Sequence, residues 1–177
     1  MKRVLTTFIL VAVLMALVAT IASAQGYQKG KMYLGPTIGY GFGFGFGASG
    51  EYGVTENIAV GGDFSYSGFK ESFGFGIGNT YEWKYTLIGI LASGSYHFSP
   101  GAQFDPFVKA GLGYFNWDAT YTDSQGSTSS LLFGAAYNSG VAFAGQVGAR
   151  YHFSEKMSGR AALGWPFIIS AGVDFTL

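Results

Sequence analysis

Apolar and small or polar residues alternate along most of the chain. Phe42, Phe44 and Phe46 interleave with Gly43, Gly45 and Gly47. Ile58, Val60, Phe64 and Tyr66 interleave with Ala59, Gly61, Asp63, Ser65 and Ser67. The same rhythm runs through Phe143 to Phe153, Met157 to Trp165 and Ile169 to Leu177. A period of two is the signature of strands with one apolar face. It predicts eight strands, at roughly 31–41, 43–53, 58–69, 81–98, 105–121, 139–153, 157–165 and 167–177. Parity changes near Leu87–Ile88 and Tyr114–Phe115, which reads as bulges or as strands leaving a membrane.

Four strands end alike. Glu51-Tyr52-Gly53-Val54-Thr55, Ser95-Tyr96-His97-Phe98-Ser99 and Arg150-Tyr151-His152-Phe153-Ser154 share a polar–aromatic–any–apolar–Ser/Thr order, and Asp174-Phe175-Thr176-Leu177 begins a fourth copy. All four close even-numbered strands. Tyr52, Tyr96, Phe98, Tyr151, Phe153 and Phe175 would then form one aromatic girdle at a membrane interface, on the periplasmic side. Trp83, Trp117 and Trp165 near the opposite ends read as a second girdle. Short turns follow the motif, whereas 70–80 and 122–138 are longer. Gly78-Asn79 is a two-residue hairpin signal. It would let the third and fourth strands project as a ribbon, with Gly74 opposite Trp83 and Gly76 opposite Tyr81.

The first 24 residues break the pattern. Lys2 and Arg3 precede an apolar run from Val4 to Val18, and Ala22-Ser23-Ala24 fits a cleavage site. Residues 1–24 therefore read as a secretory signal peptide, with an N-terminal membrane anchor as the alternative. Residues 25–30 form a short tail, and 31–177 the folded domain. No later segment holds the roughly 20 apolar residues a membrane helix needs, but several suit transmembrane strands of about 9–11.

Composition sharpens this picture. Charged residues make up 11% of the chain, against about 25% in ordinary soluble domains, so its surface is not built for water. Cys is absent, which excludes disulfide scaffolds and thiolate metal sites. Formal net charge is zero, which argues against nucleic acid as a partner.

Strands with an apolar outer face cannot leave an open edge in lipid, because each unpaired backbone group there costs several kcal/mol. The expected fold is all-β, an eight-stranded antiparallel up-and-down transmembrane β-barrel. Its interior is just wide enough for side chains to fill. An even strand number puts both mature termini on one side, the periplasm. The signal peptide, the eight strands and the final segment together resemble a small bacterial outer-membrane barrel of the OmpA/OmpX type, over essentially the whole mature chain. Such barrels end in a segment read by the outer-membrane insertion machinery. Gly172, Phe175 and Leu177 match it, while Ala171 stands where a polar residue is expected. The peptidoglycan-binding domain of longer OmpA-type proteins is expected to be missing.

Parity places six charged residues inside the bore: Glu51, Asp63, Lys109, Arg150, Arg160 and Asp174. In an eight-stranded barrel the second and sixth strands are opposite, as are the third and seventh. Glu51 and Asp63 should therefore face Arg150 and Arg160. A three-residue turn after Phe153 would make Arg150 and Arg160 direct neighbours, a repulsive arrangement that the acids must offset. The resemblance implies that such a cluster can act as a gate. The plainer reading is that the charges fill a polar interior.

Nothing supports catalysis. The pairs His97–Ser99 and His152–Ser154 invite comparison with lipid A deacylases, but catalysis would need the base to reach the Ser hydroxyl and a third group to orient it, and both pairs run into turns on the side away from lipid A. GFGFGFG lacks the pattern and setting of a phosphate loop. The two His at the periplasmic mouth leave a weak case for pH sensing. The sequence points to no enzyme, no cofactor and no metal. The leading expectation is a structural, envelope or adhesion-like role, with outer-membrane lipid as partner and a surface partner at loops 70–86 and 122–130. A narrow gated pore and a lipid-modifying enzyme are the alternatives.

Overall fold

A computed structural model gives the fold and describes residues 26–74, 80–122, 128–130 and 139–177. Residues 1–24, Gly76 and the Gly78-Asn79 turn signal lie outside the described residues.

The strands are β1 (Met32–Tyr40), β2 (Phe44–Gly53), β3 (Ile58–Gly74), β4 (Thr80–His97), β5 (Phe104–Thr122), β6 (Thr128–Ser130), β7 (Gly140–Ser154), β8 (Met157–Gly164) and β9 (Ile169–Thr176). All pairings are antiparallel. β1 pairs with both β2 and β9, and β4 pairs with β5, so the sheet closes on itself. Eight strands form the wall. β6 is a three-residue addition that the alternation did not reveal, set against Thr120–Thr122 of β5. No helix among the described residues is long and apolar enough to cross a membrane; the strands do the crossing.

Along most of the wall the apolar face points outward. Phe143 is 85% exposed and Ile90 64%, which in water would be a severe liability. In lipid it is the condition of solubility. The alternate positions point into the bore, and the six charges predicted there are all on that face.

The parity change is not a bulge. Pairing runs without a shift through Ile88↔Asn116, Leu87↔Trp117 and Phe115↔Gly140. What changes is the chemistry of the inner face, because Leu87, Leu91 and Phe115 are apolar yet buried inside. The register shift among the described pairs lies between His152 and Ser154, at the β7–β8 turn.

β3 and β4 stay paired from Ile58↔Tyr96 to Gly74↔Thr80, well past the Phe44↔Gly68 limit of β2. The projecting ribbon thus exists, but in another register. Glu71 is opposite Trp83, and Phe73 is opposite Tyr81. Five residues, 75–79, separate the paired ends, too many for the two-residue turn that the Gly-Asn signal implied. Lys70 and Lys84 are opposed, and Lys70 pairs with Glu82 at 3.0 Å, which offsets their repulsion.

Candidate functional site

The strongest concentration of chemistry lies inside the bore. Its contents form three layers along β4, β5 and β7.

The middle layer is ionic. Lys109 joins Asp63 at 3.1 Å and Glu51 at 2.9 Å. Glu51 reaches Arg150 at 2.6 Å, Arg150 reaches Asp174 at 3.1 Å, and Asp174 reaches Arg160 at 3.4 Å. The order is a chain of alternating sign: Asp63, Lys109, Glu51, Arg150, Asp174, Arg160. Arg150 and Arg160 are direct cross-strand neighbours, and Asp174 contacts both guanidinium groups. Asp63 bonds Lys109 and accepts from Ser93 Oγ at 3.0 Å. Arg160 instead donates to Ser49 Oγ at 2.6 Å and Thr37 Oγ1 at 2.8 Å. The expected pairing across the bore therefore holds for Glu51 with Arg150, whereas Asp63 takes Lys109. The reason is reach: Lys109 is the long cation that projects from β5 toward β3.

The layer toward the chain termini is aromatic and imidazole-based. Tyr27, Tyr33, His97, Phe107, Asp105, His152 and Ser158 are all buried there. Asp105 is a seventh inward charge that the parity count had left out. His97 Nδ1 lies 2.6 Å from Asp105 Oδ2, and its Nε2 lies 3.3 Å from Ser95 Oγ. The Ser99 amide donates to Asp105 Oδ1 at 3.2 Å. This is the order of a Ser–His–Asp constellation. It differs from the His97–Ser99 pair that the sequence suggested, since Ser99 serves the carboxylate through its backbone. His97 is fully buried, its face is stacked on Tyr27 at 3.9 Å, and Ser95 is 4% exposed. A nucleophile needs room for a reacting atom beside it. The His97–Asp105 bond and the Ser99 amide tie the ends of β4 and β5 together.

The third layer, toward the longer loops, is apolar. Leu87, Leu91, Phe115 and Ala144 form one cluster, with Trp117 and Trp165 packed against it. Phe42 meets both indoles edge-on at 5.1 and 5.5 Å. Phe167 turns inward from the β8–β9 loop into space left by Gly39 and Gly45, where any Cβ would strike its ring. Trp117 and Trp165 therefore cap the bore and do not ring its outside. Trp83 shares the inward parity of Tyr85 and Leu87, so the second girdle as read from sequence is corrected.

On the outer wall, Tyr52, Tyr96, Phe98 and Phe175 are exposed at the terminal end, with Tyr151 and Phe153 beside them partly exposed. Phe175 and Leu177 point outward, and Gly172 lies on the inner face. Among the described residues no group of three or more His, Asp or Glu is placed to hold a metal ion.

A family model described as outer membrane protein beta-barrel domain matches residues 9–164. The chain belongs to this family. It is an integral outer-membrane β-barrel. Among solved structures this barrel is similar to a de novo designed transmembrane β-barrel, with a TM-score of 0.55, 12% identity, and 86% of this chain and 99% of that one covered. It also matches the N-terminal β-barrel domain of Pseudomonas aeruginosa OprF, with a TM-score of 0.48, 18% identity and coverage of 86% and 100%. Ail, the attachment invasion locus protein of Yersinia pestis, in complex with the heparin analogue sucrose octasulfate, matches with a TM-score of 0.49, 13% identity and coverage of 84% and 96%. At these identities the likeness is one of fold. No curated protein matches the barrel in sequence.

Proposed function

We propose that the protein is a non-enzymatic, non-conducting barrel of the outer membrane, with a structural role in the envelope and a ribbon that serves as a surface for contact. One observation carries this reading: the bore is filled at three successive levels. A gated pore would need a path that opens when one ion pair rearranges. Here an apolar layer and an aromatic layer flank the ionic one, so rearranging the charges alone opens nothing. The connections at the terminal end, 54–57, 98–103 and 155–156, are all short, and the longest connection, between β5 and β7, lies at the other end, which supports periplasmic termini. Gly172, Phe175 and Leu177 serve in this reading as the segment recognised during insertion. The outward aromatics Tyr52, Tyr96, Phe98, Tyr151, Phe153 and Phe175 serve as the periplasmic girdle.

At the far end the β3–β4 ribbon, extended by β5 and β6, would stand above the membrane. It presents stacked Phe69 and Tyr85, 4.6 Å apart, and the exposed Lys70–Glu82 pair. The segments 70–86 and 122–130 are the natural contact surface for an extracellular partner. Planar-bilayer recording on refolded protein tests the non-conducting claim. The expected trace is silent at voltages where the folded barrel remains inserted. Discrete, reproducible conductance steps would overturn it in favour of the narrow pore.

A further inference from the structure

The tail before β1 does not hang free. Tyr27 is 2% exposed, and its ring lies flat on His97 with centroids 3.9 Å apart and stacks on Tyr33 at 5.5 Å. Its hydroxyl donates to the Ile58 carbonyl at 2.8 Å. Backbone bonds fix the segment on both sides of that ring. Gly26 donates to Gly101 and Gly101 donates back to Tyr27, at 3.2 and 3.1 Å. Gly30 donates to Gly53 at 2.8 Å, and Gly53 to Lys31 at 3.0 Å. The Gln28 amide donates to Tyr33 Oη at 2.8 Å. The wall is shaped for this occupant. A Cβ on Gly53 would press on the Gln28 carbonyl and stand 2.9 Å from Tyr27 Oη. A Cβ on Gly26 would strike the backbone of Ala102. Burial pushes the Tyr27 phenol above its ordinary value, so it sits in the socket as a neutral donor.

We propose that the terminal mouth of the bore is a binding socket for a tyrosine-bearing peptide segment, filled by the chain's own residues 26–30. The tail is thus a plug that seals this end independently of the ionic layer and of the apolar layer at the other end. A loose leader remnant would leave its side chain in solvent. This one buries its ring against His97 and is held by bonds at Gly53, Ile58 and Gly101.

The absence of native Cys makes the test clean. Ser95 is buried under the His97–Tyr27 stack, so Ser95→Cys in the refolded full barrel is a reporter of that mouth. A small charged methanethiosulfonate reagent should label it slowly. Adding Tyr27→Ala should raise the rate about tenfold or more, as local opening becomes easier. Gly53→Ala, which leaves Tyr27 in the sequence but presses the tail out of its seat at the Gln28 carbonyl and Tyr27 Oη, should raise it too. Tyr27→Phe keeps the ring and should stay slow. Unchanged labelling in a folded Tyr27→Ala or Gly53→Ala barrel, read by heat-modifiable migration, overturns the plug. Fast labelling in Tyr27→Phe overturns the assignment of the seal to the ring. If Tyr27→Ala does not fold, the Gly53→Ala rate decides. The proposal rests on the barrel but not on its silence in a bilayer, because labelling reads one mouth and conductance reads the whole bore.

Discussion

Replacing Arg150 with Met should destabilise the folded barrel by about 3–5 kcal/mol. Arg150 is the hub of the ionic chain, within 3.1 Å of both Glu51 and Asp174, with its guanidinium 4.8 Å above the Tyr33 ring. Its side chain is 1% exposed, so no water can take its place. Without it, Glu51, Asp174 and the partly buried Asp63 face two bases, and the layer holds an unbalanced negative charge. The loss comes from that orphaned charge and is not a measure of what the intact pair adds. Desolvating both partners costs several kcal/mol each, so the network as a whole can be close to neutral. A second substitution exposes the difference. Glu51→Gln on the Arg150→Met background restores two acids and two bases, and should recover part of the lost stability. Urea unfolding in lipid vesicles reads both proteins on one scale. A cost below about 1 kcal/mol for Arg150→Met would mean that the ions are solvated, contrary to the filled bore.

The second large effect concerns the seam. Gly35 is buried on the inner face of β1, where β1 meets β9. A Cβ there would collide with the Val173 carbonyl and stand 2.9 Å from the Asp174 Cα. Both obstacles are backbone, so no rotamer can relieve the clash. Gly35→Val should therefore cost about 3 kcal/mol by overpacking, and it should do so by parting the first and last strands. Unpaired backbone at that gap would face lipid, where each group is expensive. The folded, heat-modifiable band should weaken sharply. Leu34→Val, one residue away on the outer face, should leave it intact. Equal yields for the two variants would place the seam elsewhere.

Much of this was legible in the alternation. A face that must meet lipid leaves no freedom of parity, since a slip of one residue would turn every side chain to the wrong side. That constraint placed the eight wall strands to within a few residues and set Glu51, Asp63, Lys109, Arg150, Arg160 and Asp174 on the inner face. It fails where the constraint fails. Beyond the membrane the ribbon has no lipid to fix its register, and the Gly78-Asn79 signal suggested a turn that the pairing of Gly74 with Thr80 does not accommodate. Inside, Leu87, Leu91 and Phe115 are apolar on the polar face. The rule that apolar means outward therefore read the parity change near Leu87 and Phe115 as bulges or as strands leaving the membrane, and it sent Trp117 and Trp165 to the wrong surface. Asp105 could have been found, because it shares a face with Phe107 and Lys109. His97 and His152 occupied the free position of the strand-end motif, and their inward parity was visible but not used. The tail carried no periodic signal at all. One Tyr among Gly, Gln and Lys does not announce a socket, and only the three-dimensional position of Gly53, Gly101 and His97 makes it one.

The most direct test of the account joins membrane fractionation to gel migration with and without boiling. A closed outer-membrane barrel should sediment with the outer membrane and resist extraction by salt or alkali. Unboiled, it should migrate as a compact species that shifts once heated. Recovery as a soluble periplasmic protein, with no shift on heating, would contradict both the closure of β1 on β9 and the apolar outer wall.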